Sequence, residues 1–439
     1  MIKKISLVIA FGIVSIIANA QQDSLKQDSL KLPFAIHDEK KLSDEDLENK
    51  KEGTYFTAVP DLSSDPINGF GYGAEGTIFF NGKKSDPFFK YTAYRAAIDI
   101  VLFNTTRNQR EIKIGWDVPY IFDTKWRLRG EMAYEINPNL LYFGIDSKTT
   151  LPSLGYSRYA DYEKTLTGVN KFYNTYQKKE AILNISMERS YMDGRLRALV
   201  GYELAGLTLS PLGGSGANSM MQNDFNSGKI VGVGRNVVSF AQVGLIYDSR
   251  DLETDPSAGF FAEITNEASL KALGSQFNFN KTFAHVNYYK KVLPSVFKKM
   301  VFAGRIAAGY TAGNSPFYEY QDQWSSEGSI EGLGGGATLR GYKQSRYLDR
   351  LMQFNNFELR YRFSQFTFFK QHIALSAVPF FDCGAVWNNG GEIIKQLKNY
   401  RYNEGLGLRI AWNVNTILRF DYAISKEDGQ FFFSLGHSF

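Results

Sequence analysis

The sequence predicts an all-β fold, a transmembrane antiparallel β-barrel of about sixteen strands. Three observations support it: polar and apolar residues alternate over most of the chain, aromatic residues are abundant, and no long apolar stretch follows residue 20. The 439 residues include 26 Tyr and 35 Phe but only 12 Pro. Because a spanning helix needs about 18 consecutive apolar residues, any membrane segment of the mature chain must be a strand.

The amino terminus has the three parts of a secretory signal peptide. Lys3 and Lys4 precede an apolar run over residues 5–17, and the small residues Ala18 and Ala20 follow that run. The run is too short to span a membrane comfortably as an uncleaved anchor. We therefore predict a cleaved signal peptide over residues 1–20 and a mature chain that begins at Gln21.

Residues 21–53 are polar and partly repetitive. The sequence Asp-Ser-Leu-Lys at 23–26 recurs at 28–31. A segment with so few apolar residues cannot bury enough surface to offset the entropy lost on ordering. It is also too short for a folded periplasmic domain. We predict a flexible polar periplasmic tail over residues 21–53, with a short plug as the alternative.

Residues 54–439 form the predicted barrel. Along residues 125–136, for example, Trp126, Leu128 and Met132 alternate with Arg127 and Glu131. Soluble β-sandwiches also alternate, but their strands seldom combine several charges on one face with large aromatics on the other. In a barrel the apolar face meets lipid and the charged face lines a wet lumen. The pattern therefore favours a barrel in the bacterial outer membrane.

The predicted strands begin near residues 54, 69, 87, 109, 124, 171, 194, 237, 258, 276, 299, 351, 371, 402, 416 and 430. Short turns alternate with long connections over residues 138–170, 212–236 and 312–350. Short turns are typical of the periplasmic side of such barrels and long loops of the exterior. The single cysteine, Cys383, can form no internal disulfide, so strand pairing must supply the stability.

The closing segment, residues 430–439, resembles the carboxy-terminal signal by which outer-membrane barrels are recognised for insertion. Its alternation places Ser434 and Gly436 inside the barrel, and His437 falls on the lipid-facing register. The predicted insertion signal on the lipid face consists of Phe431, Phe433, Leu435 and Phe439. The resemblance implies that the chain is a client of the outer-membrane assembly machinery.

Five short motifs resemble, in order and spacing, those of the BamA and TamA surface-antigen family of assembly and translocation barrels. Gly-Gly-Gly-Ala-Thr-Leu-Arg-Gly-Tyr at 334–342 is similar to the family's Arg-Gly-aromatic motif. Phe-Phe-Asp-Cys-Gly at 380–384 is similar to its Phe-x-Asp-x-Gly strand, and Tyr-Asp-Ser-Arg-Asp at 247–251 to a third motif. Further matches lie at 356–360 and 405–421. The matched residues singled out in the second and third motifs are Asp248, Arg250, Asp251, Phe380 and Gly384.

The resemblance implies that the long loop over residues 312–350 folds back into the lumen and carries Arg340, Gly341 and Tyr342 with it. A guanidinium brought into a lumen needs carboxylate partners, and Asp382 and Glu358 are inward-facing residues on adjacent predicted strands. We therefore predict a lumenal latch in which Arg340 bonds to both carboxylates. The glycines at 334–336 supply the backbone freedom for the re-entrant path.

Members of the resembled family carry periplasmic POTRA modules, whereas only the polar tail precedes the predicted barrel here. This difference leaves three hypotheses. The first is a barrel that takes part in assembly or translocation of outer-membrane or surface proteins. The second is a passive structural or pore-forming barrel, and the third is an outer-membrane hydrolase.

The hydrolase hypothesis has the least support. Gly-Gly-Ser-Gly-Ala at 213–217 lacks the last glycine of a nucleophile elbow, and the four histidines have no metal-ligand spacing. We expect no enzymatic activity, no cofactor and no metal. The net charge of +5 is spread without long basic blocks, which argues against nucleic acid. Expected partners are outer-membrane lipids and lipopolysaccharide, the assembly machinery, periplasmic or lipoprotein partners, and unfolded barrel clients.

Overall fold

The computed structural model describes residues 31–65, 69–145, 151, 155–212, 218–297, 299–369, 371–395, 399–413 and 416–439. The predicted signal peptide, the first part of the predicted tail and the Gly-Gly-Ser-Gly-Ala run at 213–217 lie outside these residues. Within the described ranges, no helix is long and apolar enough to cross a membrane.

Sixteen strands form one antiparallel sheet in which strands consecutive along the chain are paired. They are β1 Thr54–Asp65, β2 Gly69–Phe80, β3 Ala96–Thr105, β4 Arg110–Val118, β5 Trp126–Leu141, β6 Thr175–Tyr191, β7 Leu196–Pro211, β8 Gly234–Asp248, β9 Gly259–Ser269, β10 Phe279–Lys291, β11 Met300–Gly313, β12 Leu351–Phe368, β13 Gln371–Trp387, β14 Arg401–Trp412, β15 Thr416–Ser425 and β16 Gly429–Leu435. A separate pair of two-residue strands, Asp322–Gln323 and Ile330–Glu331, lies between β11 and β12.

The described helices are short and lie in connections. The α-helices are α1 Asp44–Asn49, α2 Tyr159–Glu163, α3 Met220–Asn226 and α4 Gly391–Lys395. The 3₁₀ helices are Asp38–Lys40, Pro87–Lys90, Ile121–Asp123, Gly168–Asn170, Met192–Gly194, Lys271–Leu273 and Phe317–Gln321.

The predicted sixteen-stranded antiparallel barrel is confirmed, and most strands begin within three residues of the predicted positions. The third strand is the main difference, since it begins at Ala96 rather than near residue 87. Residues Pro87–Lys90 form a 3₁₀ helix instead, with Asp86 accepting a hydrogen bond from the amide of Phe88. Phe88 and Phe89 are buried there, so these apolar residues pack at the barrel end instead of joining a strand.

Each strand separates an apolar outer face from a polar lumen. On β6, Ile185 and Met187 point outward and are 38% and 39% exposed. Glu188 on the same strand points into the lumen and is 1% exposed. The pattern repeats on β8, where Val243 and Leu245 are outward and Gln242 is buried inside. Such a surface is stable where lipid surrounds it, because every strand carries its apolar side chains to the same side.

The two edge strands of the sheet are β1 and β16. Among the described residues no backbone pairing joins them, and β16 has only seven residues. The Oγ1 atoms of Thr57 on β1 and Thr416 on β15 are 3.1 Å apart, which brings the first strand beside the end of the sheet. The first strand and the end of the sheet are therefore in contact here through side chains and not through backbone hydrogen bonds.

The last four residues leave the strand and do not follow the predicted alternation, so part of the predicted insertion signal is wrong. Gly436 has a φ of +81°, and the chain turns there from β16 into the lumen. His437 Nε2 lies 3.0 Å from Asp255 Oδ1, so the prediction that His437 faces lipid is wrong. The Phe439 ring lies near the ring of Tyr289 and the guanidinium of Arg305, so its predicted lipid-facing position is also wrong. The left-handed glycine ends the alternation on which both predictions depended.

Residues 34–50, which we call the strap, pack across the end of the barrel where the short turns lie. Leu42 is buried beside Leu252, and the amide of His37 donates to the carbonyl oxygen of Asp193 at 2.8 Å. The described part of the predicted tail is therefore packed on the barrel. The strap buries its few apolar residues against the barrel and not against itself, a contact that composition alone does not reveal.

The outer end of the barrel is covered by its long connections. Tyr142, Tyr176 and Phe317 come together in a buried aromatic cluster beneath the connections that follow β5 and β7. The amide of Tyr159 donates to the carbonyl oxygen of Glu427 in the β15–β16 turn at 2.8 Å, so the β5–β6 connection reaches the last hairpin. These contacts place a packed cap over the lumen.

Candidate functional site

The loop of residues 314–350, which we call the re-entrant loop, runs through the lumen. Its first half is held against β8–β10, where Ser325 and Ser326 donate to Glu263 at 2.6 and 3.0 Å. Its second half is held against the last strands, where the Arg346 Nε donates to Glu427 Oε2 at 2.9 Å. Because opposite parts of the barrel hold the two halves, the loop crosses the lumen as the resemblance implies.

Arg340 is the centre of this arrangement and is fully buried. Its Nε and Nη2 donate to the two oxygens of Asp382 at 2.9 and 2.7 Å, a bidentate pair. Its Nη1 donates to Glu358 at 2.7 Å and to Asp421 at 3.1 Å. The guanidinium lies 3.5 Å above the centre of the Phe380 ring. One arginine thus bonds to carboxylates on β12, β13 and β15.

The carboxylates that receive Arg340 have further polar partners. Asp382 accepts hydrogen bonds from the amide groups of Asn356 and Asn403 at 2.7 and 2.9 Å. Glu358 accepts from the Arg360 Nε at 2.9 Å. Charges removed from water are stable only when their remaining hydrogen-bonding capacity is satisfied. The network therefore forms a connected unit between the loop and four consecutive strands, β12–β15.

Two glycines make room for the network. A Cβ at Gly407 would lie 2.2 Å from Asp421 Oδ1 and 2.5 Å from Arg409 Nη1, so a side chain there would occupy the place of that ion pair. A Cβ at Gly341 would lie 2.6 Å from Asn403 Cβ, which explains why the residue after Arg340 is glycine. Close approach of the loop to the barrel wall thus requires the missing side chains.

Gly334 and Gly335 adopt φ values of +117° and +101°, a region that strains other residues. They start the turn that delivers Arg340 to its carboxylates, and the amide of Gly335 donates to the carbonyl oxygens of Leu339 and Tyr342 at 3.2 Å. Tyr342 is itself buried, and its hydroxyl donates to the carbonyl oxygen of Tyr402 at 3.3 Å. The loop residues on both sides of Arg340 are therefore fixed.

The third matched motif lies at the other end of the lumen. Asp248 is fully buried at the end of β8, and Arg250 Nε lies 3.1 Å from its Oδ1. Arg250 also pairs with Glu327 of the re-entrant loop. Asp251 Oδ1 accepts hydrogen bonds from the amides of Ser257 and Ala258 at 2.8 and 3.1 Å, which shapes the β8–β9 turn. This motif thus gives the loop a second ionic anchor.

Phe380 and Gly384 support the loop from β13. Phe380 provides the ring under Arg340, as its inward position predicts. A Cβ at Gly384 would lie 2.8 Å from Leu333 Cδ1, so this glycine lets the first turn of the loop pack against the strand. Both residues therefore act by packing against the loop and not by chemistry.

Sequence reasoning did not find a third anchor. Lys281 Nζ, on β10, lies 2.9 Å from Glu319 of the re-entrant loop and 2.9 Å from Glu267 on β9. The sequence does indicate that Lys281 faces the lumen, because it alternates with outward residues on a strand whose other inward residues are mostly aromatic. Nothing in the sequence shows, however, that an acidic loop residue 38 positions away lies opposite it.

No described group of His, Cys, Asp and Glu side chains could hold a metal ion. His285 and His437 each lie 3.0 Å from a single carboxylate, Glu263 and Asp255 respectively. Ser325 donates to the same Glu263 and not to His285. The polar residues of the lumen are therefore arranged to hold the loop, by ion pairs and hydrogen bonds.

Fold and lumen together define an outer-membrane β-barrel with a loop latched inside it. An Omp85 superfamily domain model matches residues 97–439, which is most of the chain. The chain therefore belongs to the Omp85 superfamily, whose members are non-enzymatic barrels of the outer membrane. A second model, DUF5982, a domain of unknown function, matches residues 32–95.

Similar folds occur among solved structures. BamA from Haemophilus ducreyi lacking POTRA domains 1–3 is 16% identical, with a TM-score of 0.49 over 88% of this chain and 70% of that chain. CdiB from Escherichia coli is 10% identical, with a TM-score of 0.49 over 87% of this chain and 62% of its own. CdiB from Acinetobacter baumannii is 12% identical, with a TM-score of 0.47 over 87% and 59%. A search of curated proteins gave no match.

Replacing Arg340 by Ala should release the re-entrant loop. The change leaves Asp382, Glu358 and Asp421 buried without their cation, and breaking a buried pair in this way costs about 3–5 kcal/mol. We expect a lower temperature of heat-modified gel mobility and faster proteolysis within residues 314–350. Gln344→Ala is the matched control, because Gln344 is exposed on the same loop. Equal mobility and cleavage of the two variants would refute the latch.

Replacing Asp382 by Asn should weaken the same latch less strongly. Arg340 keeps Glu358 and Asp421, but its bidentate carboxylate becomes a neutral amide, and hydrogen bonds to charged groups contribute about 1.5–3 kcal/mol each. The measurement is the urea midpoint of the refolded barrel in detergent. In the double variant with Arg340→Ala, the two effects should be less than additive; full additivity would show that Asp382 acts independently of the loop.

Proposed function

We propose that this chain takes part in the assembly or translocation of outer-membrane or surface proteins. The observation that carries the proposal is the buried Arg340 network, which holds the re-entrant loop across the lumen. Membership of the Omp85 superfamily supports the same conclusion. An open pore needs a water-filled lumen, and the re-entrant loop occupies part of that lumen.

The passive pore is the second candidate, and the occupied lumen disfavours it. An open channel needs a continuous wet path, whereas loop residues Trp324, Leu333 and Leu339 are buried within the barrel. The C-terminal residues add to the obstruction, because Arg305 and Arg360 donate to the carbonyl oxygens of Ser438 and Phe439. A steady current would require the loop to leave the lumen.

The partners we propose follow from the surfaces of the barrel. Its outer face meets outer-membrane lipids and lipopolysaccharide, and the chain is itself a client of the assembly machinery. Periplasmic or lipoprotein partners and unfolded barrel clients would approach the end that the strap covers. Nothing in the proposal involves nucleic acid.

The insertion signal is part of the proposal, now restricted to three residues. Phe431, Phe433 and Leu435 pair with Tyr422, Phe420 and Leu418 on the outward face of β15–β16, and Phe431 is 64% exposed. These side chains form a continuous apolar row at the edge of the sheet. Phe439 is excluded from that row because the chain has already turned inward.

The double substitution Phe431→Ser and Phe433→Ser should reduce the amount of folded barrel in the outer membrane several-fold. The outward row is what the assembly machinery and the lipid would contact, and two large apolar surfaces are lost from it. Quantitative detection of the heat-modifiable form in membrane fractions measures the effect. Phe432→Ser is the control on the neighbouring inward position. A normal level of folded double variant would contradict the signal.

Depletion of the protein in its native host tests the function itself. We expect the abundance of a subset of outer-membrane or surface proteins to fall, as measured by quantitative proteomics of outer-membrane fractions. The purified barrel in planar bilayers should show no steady open conductance. An unchanged outer-membrane proteome together with a steady open pore would establish the passive channel instead.

A further inference from the structure

The strap touches the periplasmic end of the barrel at many points along its length. The Phe34 ring lies 5.6 Å from Phe88 and 5.4 Å from Tyr120, in the β2–β3 and β4–β5 connections. The amide of His37 bonds to the β6–β7 turn. Glu45 pairs with Lys299 in the β10–β11 turn. Successive turns around the barrel mouth therefore hold successive strap residues.

The middle of the strap enters the mouth itself. Lys40 Nζ lies 3.0 Å from Asp248 Oδ1, and the Lys40 side chain is 11% exposed. Asp248 is the buried carboxylate that also holds Arg250. Two residues later, Leu42 packs on Leu252, and its amide donates to the carbonyl oxygen of Lys90 at 2.8 Å. The strap thus presents an aromatic ring, a cation and an aliphatic side chain to three separate sockets.

The covered surface has the features of a peptide-binding groove. It offers backbone acceptors at Asp193 and Lys90, a carboxylate at Asp248, an aromatic socket at Phe88 and an aliphatic one at Leu252. Peptide grooves combine backbone hydrogen bonds, which give affinity, with side-chain sockets, which give selectivity. Beneath the strap a small cavity of about 50 Å³ remains among charged residues of the lumen.

The helical part of the strap is weakly held. Its one α-helix, α1, has six residues, and isolated helices of this length are not stable in water. The Glu45–Lys299 pair is exposed, and exposed ion pairs contribute about 0–1 kcal/mol. The end of the strap is firmly attached, because the buried Lys50 donates to the carbonyl oxygens of Phe89 and Thr92 at 2.7 Å. The strap therefore resembles a ligand tethered at one end more than a permanent part of the barrel.

We propose that the periplasmic mouth of this barrel carries a peptide-binding groove, which the strap fills in the resting protein and which an unfolded client polypeptide fills by displacing the strap. The inference rests on the proposed function. It gives the chain a way to receive clients at the barrel itself. The occupant is a segment with an aromatic residue, a lysine or arginine, and an aliphatic residue in the order of Phe34, Lys40 and Leu42. One family model matches residues 32–95 and so covers both the strap and the β2–β3 connection on which the strap packs.

The first test uses the full chain with Lys40→Glu and Leu42→Asp, which removes the strap from two sockets without altering the barrel. The probe is a fluorescein-labelled synthetic peptide with the sequence of residues 32–50. By fluorescence anisotropy, the variant should bind it about 10-fold more tightly than the wild-type chain, because a tethered competitor is present at high effective concentration. Equal binding by both proteins, or equal binding of a scrambled peptide, would overturn the proposal.

The second test uses the unaltered protein and a client-like probe. A synthetic peptide with the sequence of residues 172–190, most of which belong to strand β6, carries Tyr173, Lys179 and Ile182 in the order of Phe34, Lys40 and Leu42. This peptide should displace the labelled peptide from the released variant. In the wild-type chain, excess strand peptide should speed hydrogen exchange at the amides of His37 and Leu42, whose bonds to Asp193 and Lys90 would break. If the groove binds the strap peptide but not the strand peptide, it serves only to hold the strap, and the proposal is wrong.

These binding measurements are separate from the proteomic test of function. The groove can fail to bind peptides while depletion still lowers the abundance of other barrels, which would leave the assembly role and remove the groove. Conversely, peptide binding with an unchanged outer-membrane proteome would keep the groove and remove the assembly role.

Discussion

A single buried guanidinium determines the state of the lumen. Arg340 joins a loop to carboxylates on three strands, and none of these four charged groups has access to water. The four groups are stable in this buried position only together, because removal of any one leaves its partners as buried charges without a counter-charge. The glycines at 341 and 407 and the asparagines at 356 and 403 are consequences of that requirement, because each admits or completes the set.

The barrel and the latch were predictable from sequence for different reasons. A strand exposes its two faces in strict alternation, so the parity of a residue such as Glu188 or Met187 fixes its side of the sheet. The latch followed from motif resemblance together with parity, which placed Asp382 and Glu358 on the lumenal side of neighbouring strands. Asp421 was matched only as a motif residue, and its bond to Arg340 depends on how far the loop reaches.

The errors arose where the chain leaves regular structure. Alternation put Phe439 and His437 on the lipid face, but one left-handed residue, Gly436, redirects everything after it. The polar composition of residues 21–53 predicted a flexible tail, because composition measures what a segment can bury against itself. The strap buries Leu42 and Lys40 against the barrel, a surface that exists only after the sheet has closed.

The strap and the latch differ in how firmly they block the barrel, and the difference has a functional consequence. The latch is entirely buried, so opening it exposes unpaired charges at a cost of about 3–5 kcal/mol for a single lost partner. The strap is held by one largely buried ion pair, Lys40–Asp248, by the exposed Glu45–Lys299 pair and by a few apolar contacts at the rim. Rim segments with few buried contacts are the parts of a structure that open most readily. An approaching polypeptide therefore meets the weaker obstruction first. If it displaces the strap, it reaches Asp248, which is shared with Arg250 and through Arg250 with the re-entrant loop. Occupation of the mouth is thus connected to the loop by one carboxylate.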